Sequence, residues 1–142
     1  MLGRSSKLRL KKAEVEFLKL ARLCHVATHD GTGRPHCVPV CPVFEKNLVY
    51  FASDKTAKKL KNLRRNPAVA LAFDDYSESW SGIRGVMIQG KGKIIEKGPR
   101  FRKTRRLFYA KYPQYEQESP IGERDSAIVE VSLDHAFSWG LD

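Results

Sequence analysis

No apolar run in this sequence is longer than six residues, Ala68 to Phe73, and the start M-L-G-R-S-S-K-L-R-L-K-K breaks up its few leucines with basic residues. A membrane-spanning helix needs about 20 consecutive apolar residues and a secretory signal about 7–15, so neither is expected and no membrane partner is predicted. Cysteine is scarce and odd in number, with Cys24, Cys37 and Cys41 alone. In a chain with no secretory signal, that argues against a disulfide framework and for a reducing, cytoplasmic compartment. Acidic residues are the minority, 16 Asp and Glu against 26 Lys and Arg, which leaves a formal net charge of +10. This balance favours anionic partners: nucleic acid, a phosphorylated cofactor or an acidic surface. Several catalytic signatures are also missing. There is no G-x-S-x-G, no H-E-x-x-H, no C-x-x-C, and no carboxylate pair spaced for acid-base work.

The residues that are present describe a packed protein. Hydrophobic residues make up 42% and charged residues 30%, too apolar a mixture for wholesale disorder. A chain of 142 residues fits one domain that buries about two thirds of its unfolded surface. We expect a loose basic arm over residues 1–9 and a single domain over 10–142.

From Leu10, the spacing of Ala13, Phe17, Leu20 and Ala21 predicts an amphipathic helix with that stripe buried. The period then changes to that of strands. Cys24 to Thr28 leads into the turn chemistry of H-D-G-T-G-R-P, and His36 to Phe44 returns as one strand. Pro39 and Pro42 cannot donate to a ladder, so this strand should lie at an edge, carry a bulge, or turn its backbone toward a ligand. Further strands are predicted at Asn47 to Ser53, Ala68 to Phe73, Arg84 to Ile95 and Ser126 to Leu133. Glycines 85, 90 and 92 mark bends in the long one. Helices are predicted at the basic segment after Thr56 and over Pro99 to Tyr112, and Gln114 to Arg124 reads as a polar loop. With no internal repeat, the closure that removes sheet edges is a six-stranded antiparallel barrel with short flanking helices.

The basic segment D-K-T-A-K-K-L-K-N-L-R-R-N-P carries six Lys or Arg between Asp54 and Pro67. Thr56 is the expected N-cap, with Ala57, Leu60 and Leu63 as the buried stripe. A solvated face accounts for Lys58 and Arg65. Cations at Lys55, Lys58 and Lys59 nevertheless crowd an N-terminal turn, where the helix dipole disfavours them. A phosphate held by free backbone N–H groups, the Thr56 hydroxyl and one or two ammonium groups would resolve that. A nucleic-acid groove between Tyr50, Phe51 and the Arg100 to Arg106 helix is the competing reading, though no nucleic-acid motif appears. The Cys and His residues at 24, 25, 29, 36, 37 and 41 suggest a metal. His36 and Cys37 would point to opposite faces of one strand, so buried free cysteines are expected instead and no metal is predicted.

In order and spacing, A-T-H-D-G-T-G-R-P-H-C-V-P-V, L-V-Y-F-A-S, K-K-L-K-N-L-R-R-N-P, G-V-M-I-Q-G-K-G, K-Y-P-Q-Y and the late Trp139 resemble the flavin-binding split-barrel family that includes pyridoxamine 5'-phosphate oxidase. The similarity spans about residues 10 to 140. F-D-D-Y-S-E-S-W at 73 to 80 is similar to a subgroup associated with the deazaflavin coenzyme. The resemblance implies an oxidoreductase that binds FMN, or alternatively deazaflavin, and passes a hydride between the ring and a small organic substrate. It also implies a homodimer with the cofactor between subunits. Lys58 and Lys59 would hold the phosphate, with Thr56 beside them. His36, Cys37, Val38, Pro39, Val40 and Cys41 would line the ring and ribityl chain, Phe51, Ala52 and Ser53 would complete the wall, and Trp139 would reach the partner's site. Two departures argue against pyridoxamine phosphate oxidase activity itself: Gly85 stands where that oxidase carries a cofactor-contacting Gln, and its substrate-binding C-terminal segment has no counterpart up to Asp142. No side chain is assigned as acid or base, and His36 is the nearest titratable group. Outside enzymology, the alternative is a flavin or haem carrier or sensor, with His25, His29 and His36 as candidate haem ligands.

Overall fold

The computed structural model describes residues 8–141. The chain forms α1 (Lys12–Leu20), β1 (Cys24–His29), β2 (Pro35–Val40), β3 (Val43–Glu45), β4 (Leu48–Asp54), α2 (Lys58–Arg65), β5 (Ala68–Asp75), β6 (Arg84–Ile95), α3 (Pro99–Lys111), α4 (Gln114–Glu118) and β7 (Ser126–Trp139). A single turn of 3-10 helix, Trp80–Gly82, lies between β5 and β6. The strands form one sheet in the order β2-β1-β5-β6-β7-β4-β3. Every pairing is antiparallel.

The two outermost strands, β2 and β3, are joined by only Cys41 and Pro42, so the sheet must curl until its edges approach. Sequence reasoning merged β2 and β3 into one strand and counted six. Proline makes the difference: Pro42 ends one ladder, and the chain re-pairs at the far edge with β4. The kink is fixed from outside, because the Pro42 carbonyl accepts from Tyr112 Oη at 2.5 Å and from Lys111 Nζ at 3.0 Å.

The barrel interior holds Val26, Phe51, Leu71, Phe73, Val86, Ile88, Val129 and Val131. A second apolar layer, with Tyr50, Phe101, Phe108, Tyr112 and Ile128, lies between the barrel wall and α3. Two helices add to the interior. Helix α2 contributes Leu60 and Leu63, and α1 contributes Leu18. The stripe predicted for α1 is corrected here. Its buried residues are Glu14 and Leu18, whereas Leu20 is 78% exposed. A carboxylate is acceptable inside because Glu14 Oε2 accepts from Ser138 Oγ at 2.6 Å and Oε1 from the Lys11 N–H at 2.8 Å.

The last strand runs through Leu133 to Trp139, further than periodicity indicated. A bulge explains the break in pattern: Gln89 pairs with His135 and Gly90 with Leu133, leaving Asp134 as the extra residue. Glycine is required at 90 because a Cβ there would overlap the Ser132 carbonyl oxygen. The predicted polar loop after α3 contains the short α4. Of the expected N-terminal arm, residues 1–7 lie outside the described residues, as does Asp142. Leu8 packs against the core. No described helix is long and apolar enough to cross a membrane.

Candidate functional site

Strand β3 stops at Glu45 and covers only Leu48 to Tyr50 of β4, yet β4 continues to Asp54. Along Phe51 to Asp54, therefore, the outer edge of β4 has no partner strand among the described residues. The outer edge of β2 is likewise unpaired. The Cys41–Pro42 kink and the short β3 connect the strands that carry these two free edges, and α2 follows β4 after a short turn. The candidate slot is the region bounded by these two edges, which offer unpaired backbone N–H and C=O groups, with the basic helix next in the chain.

The first turn of α2 begins one residue later than predicted. The N-cap is Ala57 rather than Thr56, and no side chain caps the turn. Thr56 is exposed and makes no capping bond, because its neighbour takes the extended conformation that a cap requires. Orphan N–H groups and positive helix-dipole charge therefore remain at Lys58 and Lys59. The two lysines differ. Lys58 is exposed, while Lys59 is half-buried, and burial lowers its pKa below the usual lysine value with Asp54 opposing. Neither forms an ion pair within 4.0 Å among the described residues.

Alternation divides the residues of β2. His36, Val38 and Val40 pair with Thr28, Val26 and Cys24, and cross-strand partners share a face, so these three point inward. Cys37 and Pro39, opposite Ala27 and His25, face outward and are exposed. Cys41 sits half-buried in the kink beside the outer apolar layer. Cys24 is inert, since burial pushes its thiol up to about 12, with Cys41 adding to the effect and Lys111 opposing it. Phe51 is fully buried in the barrel, so it offers the slot only its backbone edge, whereas Ala52 and Ser53 are half-exposed.

His36 carries the strongest local signal. Its Nδ1 is buried and has no hydrogen-bond partner. A buried imidazole nitrogen without a partner is costly, and a ligand group in the slot would relieve it. Beside it, Thr28 Oγ1 accepts from Asn62 Nδ2 at 3.0 Å, tying β1 to α2. Sequence reasoning missed both residues. The available signal was an amide interrupting the apolar stripe of α2 between Leu60 and Leu63.

The hairpin between β1 and β2 lies close to Lys58 and Arg65 of α2. Asp30 accepts from the Thr32 hydroxyl at 2.6 Å and the Thr32 N–H at 2.8 Å, which with the Lys58 charge holds its carboxyl down at about 2. The guanidinium of Arg65 lies against Gly31.

Trp139 is not part of this slot in the same chain. Asp54 pairs with Ser126 at one end of β7, and Trp139 pairs with Gly85 at the other, thirteen residues on. That is roughly 43 Å of extended strand. Here Trp139 covers Gly85, whose Cβ would collide with the indole, and its ring lies 5.9 Å from that of Phe137, which is 62% exposed. At the same end Tyr76, Trp80, Leu20 and Leu23 are exposed, and a cavity of 610 Å³ is lined by Phe17, Leu20, Leu23, Asp75, Arg84 and Leu141. None of these was a predicted site residue.

A curled antiparallel sheet whose terminal strands part over a helix is a split barrel. The sequence matches the pyridoxamine 5'-phosphate oxidase family over residues 10–140, and the chain belongs to that family. Its fold is similar to three solved structures of low identity. One is a FAD-binding protein from Mesorhizobium loti, at 17% identity and a TM-score of 0.75, covering 91% of this chain and 94% of that one. Another is an F420 reductase, at 20% identity and 0.73, covering 90% and 98%. The third is a longer Agrobacterium tumefaciens protein of unknown function, at 15% identity and 0.74, where 90% of this chain spans 54% of that one. No curated protein gives a significant match.

Proposed function

We propose that the slot between β2 and β4 holds the phosphorylated tail and ring of a flavin, FMN or its deazaflavin counterpart, in a homodimeric oxidoreductase that acts on a small organic molecule. The observations that carry this reading are the buried, unpartnered Nδ1 of His36 on the free-edged strand β2 and the uncapped basic start of α2. The residues fit such a ligand. The free amides of α2 and the half-buried Lys59 suit a phosphate, the unpaired edges of β2 and β4 suit polar ring atoms, and Pro39 leaves no N–H unsatisfied. A flavin or deazaflavin supplies the hydride chemistry when bound. The chain's own work is to anchor the phosphate, orient the ring along β2 and shed water. Names of similar proteins add support, since one is a FAD-binding protein and another an F420 reductase.

The dimer is argued from the opposite end. Phe137, Trp80 and Tyr76 are exposed aromatics there, and a second copy packed on them would take them out of water. Gly85 remains a departure from the oxidase, so pyridoxamine phosphate is not the proposed substrate.

Absorbance and mass spectra of material released from the purified protein, followed by titration with FMN and with the deazaflavin coenzyme, test the reading. Tight binding of one establishes the cofactor. Binding of neither, or a bound flavin inert toward every reductant tried, refutes the oxidoreductase and leaves a solvated basic helix or a carrier.

A further inference from the structure

Buried polar side chains are few in this protein, and two of them face each other where α2 meets β1. Asn62 is 1% exposed and Thr28 5% exposed, joined by the 3.0 Å bond from Nδ2 to Oγ1. Leu60 and Leu63 flank Asn62 and are buried in the interior. An apolar residue at 62 would serve burial better, because an amide taken from water gains nothing over leucine except what its partner returns. A directed bond does something that apolar packing does not: it fixes one rotation and one depth of the helix on the strand.

What that depth controls can be read from the helix itself. Lys59 precedes Asn62 by three residues, so the two side chains are neighbours on one helix face. Thr28 is the cross-strand partner of His36. Polar groups thus follow one another from α2 through Asn62 and Thr28 to His36 on β2, whose Nδ1 is buried without a partner.

We propose that Thr28 and Asn62 are positioning residues of the slot, setting how deeply the first turn of α2, and Lys59 with it, sits beside the free edge of β2. This rests on the reading of the slot as a phosphorylated-cofactor site, and it deepens that reading. Neither residue is required to touch the ligand. Without the bond, the interior contacts of α2 are the apolar ones of Leu60 and Leu63, and its other ties, such as Arg64 Nη2 to the Lys55 carbonyl, lie at the surface. Those contacts tolerate small sliding and rotation, enough to lift Lys59 into water.

The test uses three variants of the full chain. Thr28→Ser keeps the hydroxyl. Thr28→Val removes it and leaves the Asn62 amide buried without its partner. Thr28→Val with Asn62→Leu replaces the pair by apolar groups, which preserves folding if the single change does not. FMN and riboflavin are titrated into each, and the readout is the ratio of their dissociation constants, which a general loss of stability does not move. Expected is an unchanged ratio in Thr28→Ser and a fall of about tenfold or more in the double variant, through weaker FMN binding. An unchanged ratio in the double variant overturns the proposal.

A second readout needs no ligand. The Lys59 ammonium is followed by NMR titration in the free protein, where wild type should titrate below the exposed lysines because burial disfavours its charge. In the double variant it should rejoin them, and an unmoved Lys59 overturns the proposal. If wild type binds FMN no better than riboflavin, the phosphate reading fails, and the Lys59 titration still decides whether Thr28 and Asn62 set the helix.

Discussion

Lys59→Ala and Lys58→Ala should have very different effects, although the two residues are adjacent in a basic run. Lys59 is half-buried and desolvated, whereas Lys58 is exposed at the same helix start. A hydrogen bond to a charged group in such a partly dry setting contributes about 1.5–3 kcal/mol, which corresponds to roughly a 12- to 150-fold loss of FMN affinity for Lys59→Ala. An exposed ion pair contributes about 0.2–1 kcal/mol, so Lys58→Ala should cost at most roughly fivefold. Riboflavin, which lacks the phosphate, should bind both variants within about twofold of wild type. Fluorescence quenching of each flavin on binding gives the constants. Near 1 M salt, where the Debye length is about 3 Å, the Lys58 contribution should vanish and most of the Lys59 contribution remain. Equal losses for FMN and riboflavin would refute the reasoning, as would a larger effect at Lys58 than at Lys59.

Two further expectations concern the scaffold. Tyr112→Phe removes the buried 2.5 Å bond to the Pro42 carbonyl at the kink between β2 and β3. Lys111 Nζ still reaches that oxygen, so the cost should be about 1 kcal/mol, or roughly 2–4 °C in Tm by calorimetry. A loss of folding would mean that the latch determines closure of the barrel. In native protein treated with iodoacetamide, mass spectrometry should find the exposed Cys37 alkylated first and Cys24 only after unfolding. Early labelling of Cys24 would contradict its burial.

Much of the fold was legible because it is written in local chemistry. The Asp-Gly hairpin, the alternation of β4 and the leucine spacing of α2 each follow from neighbours in sequence. The role of Pro42 was half legible. A ladder break could be foreseen there, but the chain's move from one sheet edge to the other could not, because that depends on β4 and β7 many residues away. Glu14 shows the same limit. Nothing near it in sequence indicates that Ser138 will accept it into the interior, so periodicity assigned the buried face to Phe17 and Leu20. The run of basic residues flagged the site region, yet it gave Lys58 and Lys59 equal standing.

By itself, then, the sequence determined the main strands and helices, the split-barrel family and the cationic character of the segment after β4, since propensity, turn chemistry and charge are properties of short stretches. Only the tertiary structure decided that β2 and β4 leave facing edges unpaired, that Phe51 turns into the barrel, and that Trp139 lies at the far end from Lys59. It alone placed an unpartnered His36 nitrogen beside the Thr28–Asn62 bond. The reason is that burial and pairing are set by residues distant in the chain, and a partner cannot be read until the sheet has closed.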